Sequence, residues 1–514
     1  MANAASSITL GTKSKTLFGH PKGLYILFFS EMWERMSYYG MRALLVLYLT
    51  KYLLVDPERA AKVTGFQTFK SLLEMGFGPL EIQPFSSELY GLYTGFVYLS
   101  PFFGGILADK VWGKRKSVYI GGLLMAIGHF LMAFESQFLF ALFFLILGNG
   151  AFKPNISTQV GGLYPDDDPR RDGAFTIFYM GINLGAFFSP FLCDNLAHWI
   201  CEMLGKNQPG DAWHMGFTFA GIGMLLGMIV YHIGRHHLPP ESTEHLAPLE
   251  KRGKTLLYTS LSFFGAMIGF MGLLMLPNSF KIIIILGILA AVAYSIKMIS
   301  DKLDREKVAA LVILCIGTIA FWAIFEQQGN TLQLWADEKA DWATLGLRST
   351  NYQSLNPLFI FIFAPILAGL WEAMARKGNK KSSSIQKMAV GSFLAGGAFL
   401  VLSLASRVIT PNPSISNLNW LVLTTWIFTM GELYLSPIGL SLVTKVSPPR
   451  FMSMMMGMWF LSSFIGNYLA GRLGTLYSSL SNESFFLLFA VLGGVVGLFF
   501  LFSKRKLERI IGNV

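Results

Sequence analysis

The chain has 514 residues, of which 53% are hydrophobic and 14% charged, and its mean hydropathy is +0.50. Soluble domains carry roughly 25% charged residues, so a soluble globular protein is excluded and an all-α polytopic membrane protein is expected. The formal charge of +11 comes from positives that punctuate apolar runs instead of clustering on one domain, which speaks for membrane topology and against a nucleic-acid partner.

Residues 1–20 are polar and contain no hydrophobic core followed by a cleavage site; no cleavable signal peptide is expected, and the first span would direct insertion. Fourteen apolar segments follow, at about 21–53, 87–109, 116–134, 137–158, 172–198, 212–235, 255–276, 280–300, 307–330, 352–376, 385–405, 418–444, 450–474 and 482–503. The N-terminal arm, alternate loops and tail, including Lys110, Lys114 to Lys116, Lys251, Arg252, Arg376, Lys377, Lys504 and Arg505, hold about three times as many Lys and Arg as the opposite loops. Both termini are therefore expected in the cytoplasm, which an even number of spans requires.

The one long loop on the other side, 54–86, has a stretch from Glu58 to Met75 that reads as a surface helix. The Pro-rich linker His236 to Lys254 separates six spans from eight. Two plain apolar spans come next, then six more. The expected domains are an arm (1–20), a six-helix bundle (21–235), a linker with an inserted structural hairpin (236–306), a second six-helix bundle (307–503) and a tail (504–514), for 14 spans in all.

The first span is unusual. Glu31, Glu34, Arg35, Tyr38, Tyr39 and Arg42 fall on one helical face in an otherwise apolar run. Ionisable groups facing lipid would cost several kcal/mol each, so the stripe must face a protein interior or a watery cavity. Lys153, Glu326 and Glu432 are each the lone charge in a long apolar stretch and need an opposite charge or water. A cavity between the halves would be cationic on one wall (Arg35, Arg42, Lys153) and anionic on the other (Glu326, Glu432), which suits a zwitterion. Fixed interhelical ion pairs without a ligand are the alternative, although buried pairs stabilise poorly. Arg472, near a span end, reads as a snorkelling side chain.

The segment Glu31-Met32-Trp33-Glu34-Arg35-Met36-Ser37-Tyr38-Tyr39-Gly40 resembles the ExxERFxYYG motif of the proton-dependent oligopeptide transporter (POT/PTR2) family, with Met36 in place of the family's Phe. Phe178-Tyr179-Met180-Gly181-Ile182-Asn183-Leu184-Gly185 resembles its fifth-helix signature. Lys153 in Gly150-Ala151-Phe152-Lys153-Pro154-Asn155, Glu326 in Phe321 to Gln328, and Glu432 in Gly431-Glu432-Leu433 match its intramembrane charges. Gly104-Gly105-Ile106-Leu107-Ala108-Asp109, followed by Gly113-Lys114-Arg115-Lys116, resembles the signature loop of the major facilitator superfamily with one extra residue between Asp and Gly; an ordinary positive-inside loop reads the same way by charge alone.

The resemblance implies a major facilitator fold of prokaryotic type and a proton-coupled symporter importing di- and tripeptides by alternating access across the bacterial cytoplasmic (inner) membrane, working as a monomer. It implies proton coupling through Glu31, Glu34, Arg35, Arg42, Lys153 and Glu326. Peptide binding would involve Arg35, Tyr38, Tyr39, Tyr93, Lys153, Asn183, Trp322, Glu326, Asn356, Glu432 and Trp459, with a gating loop at Gly105, Asp109, Gly113 and Lys114. Asn183 and Asn356 are equally readable as interhelical glue, and the aromatics as packing.

Other signals point away from enzymes and cofactors. No histidine–cysteine cluster has metal spacing, no Walker loop and no Ser–His–Asp set occurs, so the proton is the only expected coupling ion and no cofactor is expected. Cys193, Cys201 and Cys315 form no disulfide framework. Asp166 to Asp168 read as a solvated turn, Met454 to Met456 and Met458 as plastic packing, and His129 as a histidine near the middle of its span. A membrane enzyme would place a catalytic cluster at a membrane surface; a passive facilitator differs from a symporter only in lacking uphill accumulation.

Overall fold

The computed structural model describes residues 16–165, 168–241, 246–376, 383–409 and 417–511. Most of the N-terminal arm, Asp166, Asp167, Lys377 and the last three residues of the tail lie outside the described residues.

Among the described residues, fourteen helices of 18 residues or more follow the fourteen apolar segments: α1 (Lys22–Tyr48), α2 (Ile82–Leu107), α3 (Lys114–Leu131), α4 (Phe138–Gly161), α5 (Arg171–Pro190), α6 (Asp211–Gly234), α7 (Leu249–Met275), α8 (Asn278–Lys297), α9 (Lys302–Phe325), α10 (Leu355–Arg376), α11 (Ser384–Ile409), α12 (Asn419–Val446), α13 (Met452–Gly474) and α14 (Asn482–Ile511). Ten are long and apolar enough to cross a membrane by length and composition alone. Two of the others, α1 and α3, are diluted by charge: α1 by its stripe, α3 by Lys114, Arg115 and Lys116 in its first turn.

Within the first bundle, α1 packs on α5 and α6, and α4 on α2 and α3; within the second, α11 packs on α12 and α14, and α9 on α13 and α14. The bundles meet along α2 against α13 and α5 against α10. The hairpin α7–α8 lies outside: α7 rests on α2, and α8 has no buried residue. Its exposed Ile282 to Leu286 run is tolerable only against lipid.

Proline shapes the helices that matter most. Pro101 inside α2 cannot bond the Val97 carbonyl; Asn149 Nδ2 of α4 donates to that oxygen at 2.9 Å. Pro154 inside α4 likewise frees the Gly150 carbonyl, and Gly104 of α2 lies against it so closely that any Cβ would collide. One of the two freed carbonyls is thus satisfied from the facing helix, and both defects lie where α2 and α4 touch.

Where one surface helix was expected from Glu58 to Met75, there are two, Pro57–Lys62 and Phe66–Phe77. Gly65 at φ +79° breaks the run, and Asp56 caps the first piece by accepting from Glu58 N at 2.9 Å. Phe66 and Leu73 are buried, so the segment is docked rather than loose. His129 lies in the last turn of α3, not at its middle, and is fully buried. The three cysteines are free and buried. Asp168 pairs with Arg170 at 2.7 Å; hydrogen bonds from Arg170 hold its carboxyl at about 2.

Candidate functional site

The charges of the α1 stripe are buried, and Glu31, Glu34 and Arg35 pair among themselves. Glu31, Glu34, Arg35 and Arg42 are exposed by 2%, 0%, 3% and 6%. Arg35 Nε lies 3.2 Å from Glu31 Oε1, and the guanidinium also grips Glu34, with Nη2 donating to Oε1 at 2.5 Å. Three charges of net −1 therefore share one helix face, over which the Tyr38 ring lies 5.1 Å from the guanidinium carbon. Burying such charges is affordable only when they are paired and hydrogen-bonded.

Two helical turns on from Arg35, Arg42 crosses to the other bundle. Its Nη2 is 3.0 Å from Glu326 Oε2, its Nε donates to Tyr90 Oη at 2.8 Å, and Tyr90 donates to Glu326 at 3.3 Å. Glu326 opens the short 3-10 turn Glu326–Gly329 beyond α9. A Cβ on Gly329 would collide with both Tyr90 Oη and Arg42, so the close approach of that turn depends on glycine.

Beside this latch is a cavity of about 270 Å³ shared by both bundles. That is slightly below the roughly 300–1,000 Å³ of drug-sized ligand pockets, and it restricts an occupant to a small molecule. Its first wall carries Arg42, Tyr39 and Lys153; the facing wall carries Glu432, Asn356 and Trp322. Lys153 has no carboxylate within 4.0 Å among the described residues; its ammonium lies 4.7 Å from the centre of the Tyr98 ring. Glu432 accepts from Asn356 Nδ2 at 2.8 Å, and Asn356 also reaches Thr429 at 3.0 Å. A cation without an ion-pair partner faces an anion held only by an amide.

Of the residues expected to bind peptide, Tyr39, Lys153, Asn183, Trp322, Asn356 and Glu432 line the cavity, while Arg35, Tyr38, Tyr93, Glu326 and Trp459 do not. Arg35 and Glu326 are occupied by their ion pairs; Tyr93 and Trp459 are buried at 2% and 8% exposure. Asn183 donates back to its own helix at Tyr179 O, 3.0 Å away. The cavity also includes Tyr98, Tyr179, Gln328 and Gln353, which the sequence reading did not single out. Tyr179 and Gln328 stand inside segments quoted above, so their helical register would have found them; Gln353, in the 3-10 turn Ser349–Ser354, carries no such signal.

Further links join the bundles on the side of the cavity away from the termini. Asp194 pairs with Arg348 at 3.0 Å and accepts from Thr350 at 2.5 Å; Ser87 donates to Asn330 at 2.8 Å, Gln83 to Gly474 O at 3.0 Å and Ser354 to Phe187 O at 2.7 Å. Lys51 pairs with Asp337. Arg472 does not simply snorkel: its Nη1 is 3.8 Å from the buried Glu88. At the opposite end, Asp109 is exposed and has no ion pair among the described residues. Gly113 holds φ +82° and Gly105 faces open space. Lys114 is exposed, and neighbouring Arg115 anchors the linker through Leu238 O at 2.9 Å and Glu241 at 3.0 Å.

Comparison with known proteins agrees with this architecture. The family model described as "PTR2: POT family" matches residues 115–490. The chain is 33% identical to the di-/tripeptide transporter of Lactococcus lactis subsp. lactis (strain IL1403), covering 98% of this chain and 99% of that one. It is 32% identical to the peptide transporter YePEPT of Yersinia enterocolitica subsp. palearctica serotype O:3 (strain YE-P4), covering 90% and 88%. Among solved structures it is similar to a mutant peptide transporter POT in complex with alafosfalin, with TM-score 0.77 and 32% identity over 97% of both chains. It is also similar to a POT family transporter in complex with 5-aminolevulinic acid, with TM-score 0.75 and 30% identity over 96% and 98%. With a matching family model over most of its length and relatives a third identical from end to end, this multi-pass membrane protein belongs to the POT family of secondary transporters.

Proposed function

We propose that the chain is a proton-coupled symporter that imports di- and tripeptides across the bacterial cytoplasmic membrane by alternating access. The observation that carries this is the cavity between the bundles, where the Lys153 ammonium faces the Asn356-held Glu432 carboxylate. A peptide zwitterion brings a carboxylate to Lys153 and an ammonium to Glu432. Its backbone amide groups meet the amides of Asn183, Gln328 and Gln353.

The loop charge asymmetry favours both termini in the cytoplasm. The latches from Lys51–Asp337 to Arg42–Glu326 then lie on the outer side of the cavity, and the geometry is that of a state closed outward. In this reading a proton arriving from outside neutralises Glu326 and frees Arg42, so the outer seam can part. Protonation at Glu31 or Glu34 loosens Arg35 in the same way. Proton release inward re-forms the pairs, and the peptide leaves. Domain boundaries at 21–235 and 307–503 make the two bundles the rocking units, with 236–306 as linker and hairpin. The monomer contains both walls of the cavity and is the expected working unit.

The driving force is adequate. One charge crossing about 100 mV yields about 2.3 kcal/mol, and one pH unit adds about 1.4 kcal/mol. Their sum supports accumulation of a neutral peptide on the order of 500-fold. The test is uptake of radiolabelled dialanine into proteoliposomes with and without an inward proton gradient. Accumulation above equilibrium that a proton ionophore abolishes is the expected result; equilibration alone would make the protein a passive facilitator, and no uptake would remove small peptides from the substrate class.

A further inference from the structure

The inserted hairpin reads from sequence as structural filler, yet its tip is built into the outer seam. Gly76, in the last turn of the helix Phe66–Phe77, lies so close to Leu274 O at the end of α7 that a Cβ would collide. Lys281, in the first turn of α8, donates to Gly76 O at 3.4 Å. The neighbouring Phe77 ring then collects two cations: Lys281 Nζ lies 5.0 Å from its centre and the Arg472 guanidinium carbon 4.1 Å. Arg472 belongs to α13 in the second bundle, and Phe77 to the loop of the first.

Behind Arg472 is Glu88 of α2, fully buried, with the Tyr468 side chain of α13 also against its carboxylate. Arg472 pairs with it at 3.8 Å, and Lys281 acts on the same carboxylate from the hairpin, so the buried charge favours keeping both cations in place. One turn along, α2 and α13 touch by backbone: a Cβ on Gly91 would lie 2.6 Å from Gly471 Cα. Near the same end of α7, Phe270 lies across the same seam, with its ring 6.0 Å from Phe96 of α2, 4.8 Å from Phe464 and 4.9 Å from Tyr468 of α13.

We propose that the hairpin α7–α8 is a brace on the outward-closed state, holding Arg472 against Glu88 through Phe77 and Lys281 and clamping the α2–α13 seam through Phe270. The brace rests on the alternating-access reading above. When the bundles part on the outer side, Arg472 leaves both Phe77 and Glu88, and Phe270 loses one side of its contact. Lys281 and Phe77 are positioning residues, acting on the seam without touching peptide.

The experiment places spin labels on Lys206→Cys and Ser479→Cys, exposed outer-side positions of the two bundles, in full-length protein whose native cysteines are replaced. Distances are measured in lipid nanodiscs with and without dialanine. Lys281→Ala and Phe77→Leu are expected to raise the population ratio of the longer-distance to the shorter-distance state by about two- to fivefold, the scale of one cation–π contact. Lys281→Arg is expected to restore the wild-type ratio, which a loss of general stability would not do. In uptake assays the same variants lower KM for external peptide and also lower kcat, because the return to the closed state slows. An unchanged ratio in both variants, while the wild type still responds to peptide, would overturn the brace alone. A wild type that never shows a second distance would overturn alternating access and the brace with it.

Discussion

Two sets of intramembrane charge in this molecule behave in opposite ways. On α1, every charge of the stripe is spent on a neighbour: Arg35 on Glu31 and Glu34, Arg42 on Glu326 and Tyr90. At the cavity, among the described residues, Lys153 has no carboxylate within ion-pair distance and lies over the Tyr98 ring, and Glu432 accepts a hydrogen bond from the Asn356 amide. Saturated pairs are suited to switching, because one proton on a carboxylate changes what its basic partner can hold. Charges without a close ion-pair partner are suited to a ligand, because no direct contact has to be broken before the ligand binds. The difference is the basis on which we assign coupling to the first set and binding to the second, although the residue types are the same.

The sharpest way to break that division is at Lys153. Lys153→Ala should weaken dialanine binding by about 10- to 100-fold, the scale of a lost charge-assisted hydrogen bond, as read by isothermal titration. The same loss is expected when wild type meets dialanine amide, which lacks the carboxylate; the variant should no longer distinguish the two peptides. Next in size is Gly329→Ala, whose methyl group would meet Tyr90 and Arg42. Overpacking there should cost about 1–3 kcal/mol, seen as a lower melting temperature and a weakened outer latch. Glu432→Gln keeps the bond from Asn356 and loses only the charge. It should raise KM for dialanine by about 3- to 10-fold, and raise it less for an N-acetylated dipeptide. The smallest effect is expected at the exposed Asp168–Arg170 pair. Its folded carboxyl is held low, at about 2, so its contribution is present above the ordinary carboxylate range and fades only as pH falls through 2. Asp168→Asn should leave uptake at neutral pH unchanged.

Much of this was legible in the sequence for physical reasons. Apolar length and charge spacing mark the fourteen helices because lipid leaves the backbone no other way to satisfy itself. The α1 stripe is legible because it lies within one helix, where helical periodicity does the grouping. What is not legible is pairing over long separations. Glu88 stands near the edge of an apolar segment and looks interfacial, and its partner Arg472 lies in the other bundle. Nothing in the sequence shows that Arg42, rather than Arg35, takes Glu326. Tyr98 and Gln353 enter the cavity from elements whose mutual placement is a tertiary matter, α2 packed beside α4 and the 3-10 turn that precedes α10. The break at Gly65 hides in a run whose composition favours one helix.

The central claim is that the paired carboxylates couple protons while the unpaired charges hold peptide. The most direct measurement compares gradient-driven accumulation of dialanine with peptide exchange at equal pH, in proteoliposomes of wild type and Glu326→Gln. The account predicts that the variant exchanges peptide at a rate near that of wild type and accumulates none above equilibrium. Full uphill accumulation by Glu326→Gln would contradict it.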